Sequence, residues 1–314
     1  MNVLVTGGAG FIGSHLAEAL VRVGHRVRVV DSLFSGKRSN LDAVRDDVEL
    51  IEGDCTNPET AQRAVEGVEA VFHEAAVPSV ARSVKDPLLS HQTNPTVTLT
   101  MLEAARGAGV RRFVYAGSSS VYGNSPQLPK REDMETRPLS PYGVGKLCGE
   151  HYVRVFASLF GMGTLTLRYF NVFGPRQDPS SPYSGVISRF VTWMLQGKTP
   201  VVYGDGEQSR DFTYVANVVD ANLAALTAPR LAGESVNIAT SRRITLMELL
   251  RGVARETEQP LRVRHERERP GDIRHSLADI GQASRLLGYR PRYGFEDGLH
   301  ETVDWYRRQP LPAI

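Results

Sequence analysis

In the first half of the chain, apolar residues fall into short unbroken runs separated by longer stretches of helical spacing. The run 3–5 is wholly apolar and ends at a glycine cluster; Phe11, Ile12, Leu16, Leu20 and Val23 then follow at the spacing of one helical face. A second run, 27–30, is closed by Asp31. Runs at 48–51, 70–72, 113–116 and 165–167 predict further strands, and 58–65, 96–105 and 141–160 predict helices between them. Runs without polar alternation suit strands covered on both faces. Alternation of strand and helix at this pitch predicts an α/β protein with a doubly wound parallel sheet.

After Asn171 the rhythm loosens. Proline and glycine punctuate 174–185 and 197–206, and helical spacing returns at 215–226, 245–256 and 295–307. The expectation is a first domain over 1–171 and a smaller α/β lobe over 172–314, with a segment near 212–240 returning to the first domain. No internal repeat or low-complexity tract interrupts this plan.

Composition narrows the function classes. A hydrophobic share of 41%, a charged share of 23% and a formal charge of +2 are ordinary for a globular protein and give no reason to expect nucleic acid or an anionic membrane as partner. Two cysteines, Cys55 and Cys148, in no metal-ligand spacing point to a reducing compartment. The N-terminal run lacks the charged and long apolar regions of a signal peptide, and no run reaches the roughly 18 apolar residues of a membrane span. A cytoplasmic protein without a metal is expected.

Three motifs carry chemistry. Gly8-x-Gly10-x-x-Gly13 lies between a predicted strand and a predicted helix, where glycines let backbone approach a pyrophosphate and the helix N-terminus faces it. Asp31, at the end of the second strand, sits where a carboxylate accepts from ribose hydroxyls and repels a 2′-phosphate, so NAD is expected rather than NADP. Lys37 and Arg38 follow closely and leave a phosphate-binding alternative open. Tyr142 and Lys146 lie one helical turn apart on one face. A free phenol has a pKa near 10 and needs a neighbouring ammonium to serve as a base. The chain has 32 Arg and 5 Lys, yet this position is Lys. Ser118, Ser119 and Ser120 follow the strand 113–116, at the sheet edge where ligands bind in open α/β folds. Taken singly, each motif also fits a plain glycine turn, a surface Tyr and Lys, or a serine-rich loop; their order and spacing favour a dehydrogenase-type site.

With these residues the chain resembles an extended short-chain dehydrogenase/reductase with a Rossmann domain, and more narrowly the nucleotide-sugar 4-epimerases related to UDP-galactose 4-epimerase. The likeness spans nearly the whole length. Beyond the glycine loop and Tyr-x-x-x-Lys it rests on 118–123, on 168–176, on Arg210-Asp211-Phe212 and on Arg269-Pro270-Gly271-Asp272. It implies Ser118 and Tyr142 at the sugar 4-hydroxyl, Tyr142 as base and Lys146 tuning it. It implies a cofactor site of Gly7, Gly10, Phe11, Ile12, Gly13, Asp31, Asp54, Cys55, Ala75, Ala76, Val77, Asn94, Tyr142, Lys146 and Phe170. For a UDP-sugar it implies Ser118, Ser119, Ser120, Tyr142, Asn171, Arg210, Arg269, Asp272 and Ser276, the two arginines on the diphosphate. Homodimerisation through the helices at 96–105 and 141–160 is implied likewise. Glu74 departs from the pattern, since relatives often carry an apolar or amide residue there, and nothing in the sequence accounts for it.

Related dehydratases and decarboxylases carry acidic residues directly after the hydroxyl residue; here Ser119 and Ser120 stand there, and serine does no proton transfer at neutral pH. The expectation is therefore a 4-epimerase of UDP-glucose and UDP-galactose, with the N-acetylated pair also admitted if Ser276 lines the sugar's C2 side. A UDP-glucuronate 4-epimerase is the alternative, disfavoured by Asn171 and by Asp178 in the loop where an Arg is wanted. A non-catalytic dinucleotide sensor typically loses Tyr or Lys of the pair, and both are present.

Overall fold

The computed structural model describes residues 1–179, 185–268 and 273–312. Seven parallel strands form the central sheet: β1 Asn2–Thr6, β2 Arg26–Asp31, β3 Val48–Glu52, β4 Ala70–His73, β5 Arg112–Ser118, β6 Gly163–Tyr169 and β7 Glu234–Ile238. Their order is β3-β2-β1-β4-β5-β6-β7. The order reverses at β1, and in such sheets ligands bind outside the carboxyl ends of the strands at that switch.

Side-chain alternation builds a core on each face of the sheet. Val3 and Val5 face one side with Leu16 and Leu20 of α1 (Phe11–Arg22), while Leu4 faces the other. That second side is covered by α2 (Pro58–Val65) and, after two short helices α3 (Val80–Lys85) and α4 (Pro87–His91), by α5 (Val97–Gly107) and α6 (Pro141–Phe160). A third core lies outside the sheet, where α7 (Val186–Leu195) packs its Phe190 and Val191 with Phe173, Phe212 and Tyr214. Helix α8 (Val215–Thr227) returns to the α1 side through Val218 and Ala225, and β7 pairs with β6. The third core is completed by α9 (Leu246–Thr257) and α11 (Phe295–Arg307), with α10 (Gly281–Leu287) between them in sequence.

The predicted strands and helices of the first half are present within a few residues. Helices α3, α4, α7 and α10 were not predicted, because each is short or set among proline and glycine. A π turn at Gln92–Thr96, carrying Pro95, precedes α5. Among the described residues no helix is long and apolar enough to cross a membrane.

Candidate active site

Two adjoining clefts open above the carboxyl ends of the central strands. The narrower encloses about 410 Å³ and the wider about 800 Å³, within the roughly 300–1,000 Å³ range of small-ligand sites. Phe11, Ile12, Tyr142 and Tyr169 line both.

Gly7, Gly10, Phe11, Ile12 and Gly13 form one side of the narrower cleft. A Cβ on Gly13 would lie 2.3 Å from the Gly7 carbonyl oxygen, so only glycine lets the helix sit this close to its loop. Gly10 caps α1 without a side-chain hydrogen bond, and no acidic residue stands in the first turn. The helix therefore turns its positive end and its first N–H groups to the cleft. Asp31 lies at the rim, where its carboxylate accepts from the Ala9 N–H at 2.9 Å and the Leu33 N–H at 2.8 Å. Burial pushes its pKa up and those two bonds draw it down. A carboxylate has about four acceptor positions, so hydroxyl groups still find acceptors here. Lys37 and Arg38 do not stand free for a phosphate: Lys37 pairs with Asp178 at 3.3 Å, and Arg38 with Glu52.

Asp54, Cys55, Ala75, Ala76 and Val77 complete this cleft. The Ala75 N–H donates to Thr6 Oγ1 at 3.1 Å, and that hydroxyl bonds His73 Nδ1 at 2.8 Å. On the far side of the ring, His73 Nε2 meets Thr98 Oγ1 at 3.1 Å, whose own hydrogen goes to the Asn94 carbonyl. These partners fit a neutral imidazole protonated on Nε2, and burial pushes its pKa down to about 3. The cleft wall is thus braced from β1 through β4 to α5. An anionic dinucleotide fits these residues: a helix start without a cap, a glycine cradle, and a carboxylate at hydroxyl distance from the rim.

Tyr142 and Lys146 come from the first turns of α6, which Ser140 caps by accepting from the Gly143 N–H at 3.1 Å. Ser118 ends β5; its Oγ receives the Ser120 hydroxyl at 2.9 Å and shares a hydrogen bond with the Tyr142 phenol. Lys146 is only 3% exposed, and its Nζ donates to the Ala116 carbonyl at 2.9 Å. Nζ lies 6.0 Å from the centre of the Tyr142 ring and 5.0 Å from that of Tyr115. Glycine at 149 makes room for Tyr115 beneath the helix, since a Cβ there would lie 2.4 Å from the phenol oxygen.

Burial dominates at both the Lys146 ammonium and the Tyr142 phenol. Burial pushes that phenol up to about 12, with the Ser118 bond drawing it down. Burial likewise pushes Lys146 down to about 8, while the Glu74 carboxylate draws it up. A buried ion pair, Arg168 Nε to Glu150 Oε2 at 2.9 Å, ties α6 to β6. Arg168 also donates to Tyr122 Oη at 2.7 Å, which fixes the turn after Ser118.

Ser118, Ser119, Ser120, Asn171, Arg210 and Ser276 line the wider cleft. Asn171 takes a left-handed backbone, φ 36°, and its side chain donates to the Asp211 carbonyl at 3.0 Å. The Asp211 carboxylate is fully buried and accepts from Thr240 and the Ala278 N–H, which anchors the strand carrying Arg210. Arg269 and Asp272 lie outside the described residues. Two residues carried over to the cofactor site line no part of the narrower cleft. The π turn rotates Asn94 inward, where it is 1% exposed and donates to the Ser90 carbonyl at 2.8 Å. Phe170 is fully buried against Tyr122 and lines the wider cleft instead.

Sequence reasoning missed Tyr169, whose phenol donates to Glu74 Oε1 at 2.7 Å, and His275, which bonds Ser209 Oγ at 2.8 Å in the wall of the wider cleft. Tyr169 ends a central strand as Ser118 does, and that placement was the available signal. Among the described residues no group of three or more His, Cys, Asp or Glu is arranged to hold a metal.

Residues 3–239 match the NAD dependent epimerase/dehydratase family. The chain is 37% identical over 313 residues to a UDP-glucose 4-epimerase of Mycolicibacterium smegmatis, covering 98% of this chain and 99% of that one. Its structure is similar to that of a UDP-N-acetylglucosamine 4-epimerase from Methanobrevibacter ruminantium in complex with UDP-N-acetylmuramic acid, at 38% identity, 98% of each chain and a TM-score of 0.93. It is also similar to a Thermus thermophilus UDP-glucose 4-epimerase in complex with NAD, at 36% identity, 98% of this chain, 99% of the other and a TM-score of 0.90. A glycine loop, a rim carboxylate and a Ser–Tyr–Lys group on a doubly wound sheet, together with matches over nearly the full length, mean that this chain belongs to the NAD dependent epimerase/dehydratase family.

Proposed function

We propose that this protein is a UDP-sugar 4-epimerase that works with bound NAD, inverting C4 of UDP-glucose and UDP-galactose and of the N-acetylated pair through a transient 4-keto sugar. One observation carries the reading. The turn facing Tyr142 and Lys146 offers three hydroxyls, Ser118 to Ser120, and no carboxyl to expel a neighbouring group from the oxidised sugar. Glu74 lines only the narrower cleft, and Asp178 in the wider one is paired with Lys37.

Bound in the narrower cleft, an oxidised nicotinamide dinucleotide supplies the hydride acceptor. The glycine loop and the α1 N-terminus hold its phosphates, Asp31 its adenosine ribose, and Asp54 and Cys55 the adenine side. Ser118 holds the sugar 4-oxygen by hydrogen bond. Tyr142 takes the hydroxyl proton as C4 is oxidised and returns it after the keto sugar has turned over, and Lys146 supports the phenolate. Arg210 and Arg269 clamp the diphosphate, which lets the sugar rotate while the nucleotide stays fixed. Asn171 and Ser276 wall the sugar. In this reading residues 1–171, with a return near 212–240, serve the dinucleotide and the rest serves the sugar nucleotide.

A second copy of the chain is the partner we propose for the face formed by α5 and α6. Val144, Val155, Leu159 and Phe160 of α6 are exposed, and exposed large apolar side chains on one element suit an interaction surface. The glucuronate alternative is disfavoured by Asn171 and by Asp178, which stands in the wider cleft where a cation for the sugar carboxylate is wanted.

The test is incubation of the purified protein with a panel of UDP- and TDP-sugars, separation of products by chromatography, and sizing of the protein in solution. Interconversion of C4 epimers supports the reading. A dehydrated or decarboxylated product, or none from any sugar, overturns it.

A further inference from the structure

Glu74 has no part in the mechanism so far, yet it stands beside it. We infer that Glu74 is a positioning residue of the catalytic pair: held by Tyr169 and Asn222 at the end of β4, its carboxylate is the counter-charge of the Lys146 ammonium. The inference rests on the proposed role of Tyr142 and Lys146.

Register brings the two groups together. His73, the last residue of β4, pairs with Tyr115 of β5, so Glu74 and Ala116 are the residues that follow the end of this ladder. Ala116 is the residue whose carbonyl receives Lys146 Nζ. On the Glu74 side, Tyr169 Oη donates to Oε1 at 2.7 Å and itself accepts from Asn222 Nδ2 at 2.8 Å. Glu74, Lys146 and Tyr169 line the same cleft.

A buried ammonium without a nearby anion tends to lose its proton. The other titratable groups around Lys146 do not supply that anion. His73 is neutral, the phenols of Tyr115, Tyr142 and Tyr169 are pushed up by burial, and Glu150, one turn further along α6, is spent on Arg168. Glu74 draws the Lys146 pKa up; burial pushes that of Glu74 up to about 7, with the Tyr169 bond and then Lys146 drawing it down. Above that pH the carboxylate is mostly charged, which is where Lys146, pushed to about 8, needs it. Loss of the charge would leave Tyr142 beside a neutral amine.

The test reads Lys146 directly. Protein labelled with [ε-¹³C]lysine has five lysines to observe, and Lys146→Arg identifies one signal by its loss. Titration of the purified parent is compared with Glu74→Gln, which keeps an acceptor for Tyr169, and with Glu74→Leu. Thermal melts establish which variant is folded, and either one decides. The expected result is a Lys146 midpoint lowered by about one pH unit or more, with the other four signals unmoved, and the alkaline limb of kcat lowered with it. An unmoved Lys146 midpoint in a folded variant overturns the inference, whatever happens to activity; so does a drop shared by all five signals. Because the titration needs no turnover, an inactive parent with a shifted midpoint counts against the epimerase reading and not against Glu74.

Discussion

The two clefts differ in how their walls are built. In the narrower one, functional groups end central strands or start α6 and are locked by buried partners, as Lys146 is by Ala116 and Ala75 by Thr6. In the wider one, the outer wall comes from loops and two-residue strands, with Ser276 held through its N–H to the Ser209 carbonyl at 3.0 Å and Arg210 through Ser209 and Arg274 carbonyls. The lesson is a division of labour. In the proposed function the sheet edge sets which reaction occurs, and the lobe wall sets which sugar undergoes it. Changes at the first should act on all sugars alike, and changes at the second should alter the ratio between them.

The largest effect is expected at the sheet edge. Tyr142→Phe should lower kcat by about 10²–10⁴-fold for UDP-glucose and UDP-N-acetylglucosamine alike, with substrate binding retained by calorimetry. Near-parent activity would mean the base is elsewhere. In the same place, Lys146→Ala should move the rising limb of the pH–rate profile to higher pH, because the phenolate loses its neighbouring cation.

Next comes the support of α6. Glu150→Ala leaves Arg168 buried and unpaired, a change that destabilises by about 3–5 kcal/mol. Urea unfolding measures it, and a loss below about 1 kcal/mol would show that the pair is not part of the scaffold.

A smaller, selective effect is expected at the lobe wall. Ser276→Tyr overfills the cleft, and kcat/KM for the N-acetylated sugar should fall at least about tenfold relative to UDP-glucose. Equal losses on both sugars would remove the distinction between the two walls. The smallest effect belongs to Lys37→Ala. Its pair with Asp178 is exposed, so stability should change by less than about 1 kcal/mol and NAD should still be preferred. A variant that loses the preference would return Lys37 to the cofactor site.

The same contrast explains what could be read from the sequence. Strands such as Val3-Leu4-Val5 are covered on both faces and appear as unbroken apolar runs, and Tyr142 and Lys146 share a face by helical spacing alone. The lobe offered no such signal, since strands like Ser209–Arg210 are too short to show a period. Inward turns were also invisible: nothing local says that Asn94 is buried with its amide on the Ser90 carbonyl, or that Tyr169 lines both clefts. The role proposed for Glu74 required a partner 95 residues away, and only the folded sheet brings the two together.

The central claim is that the hydrogen leaving C4 comes back to C4 with inverted configuration. UDP-glucose deuterated at C4, incubated with the purified protein in ordinary water and without added NAD, tests it most directly. The account predicts UDP-galactose that retains deuterium at C4, at rates unaffected by added NAD. Product carrying solvent hydrogen at C4, or turnover that needs one NAD per product, would contradict it.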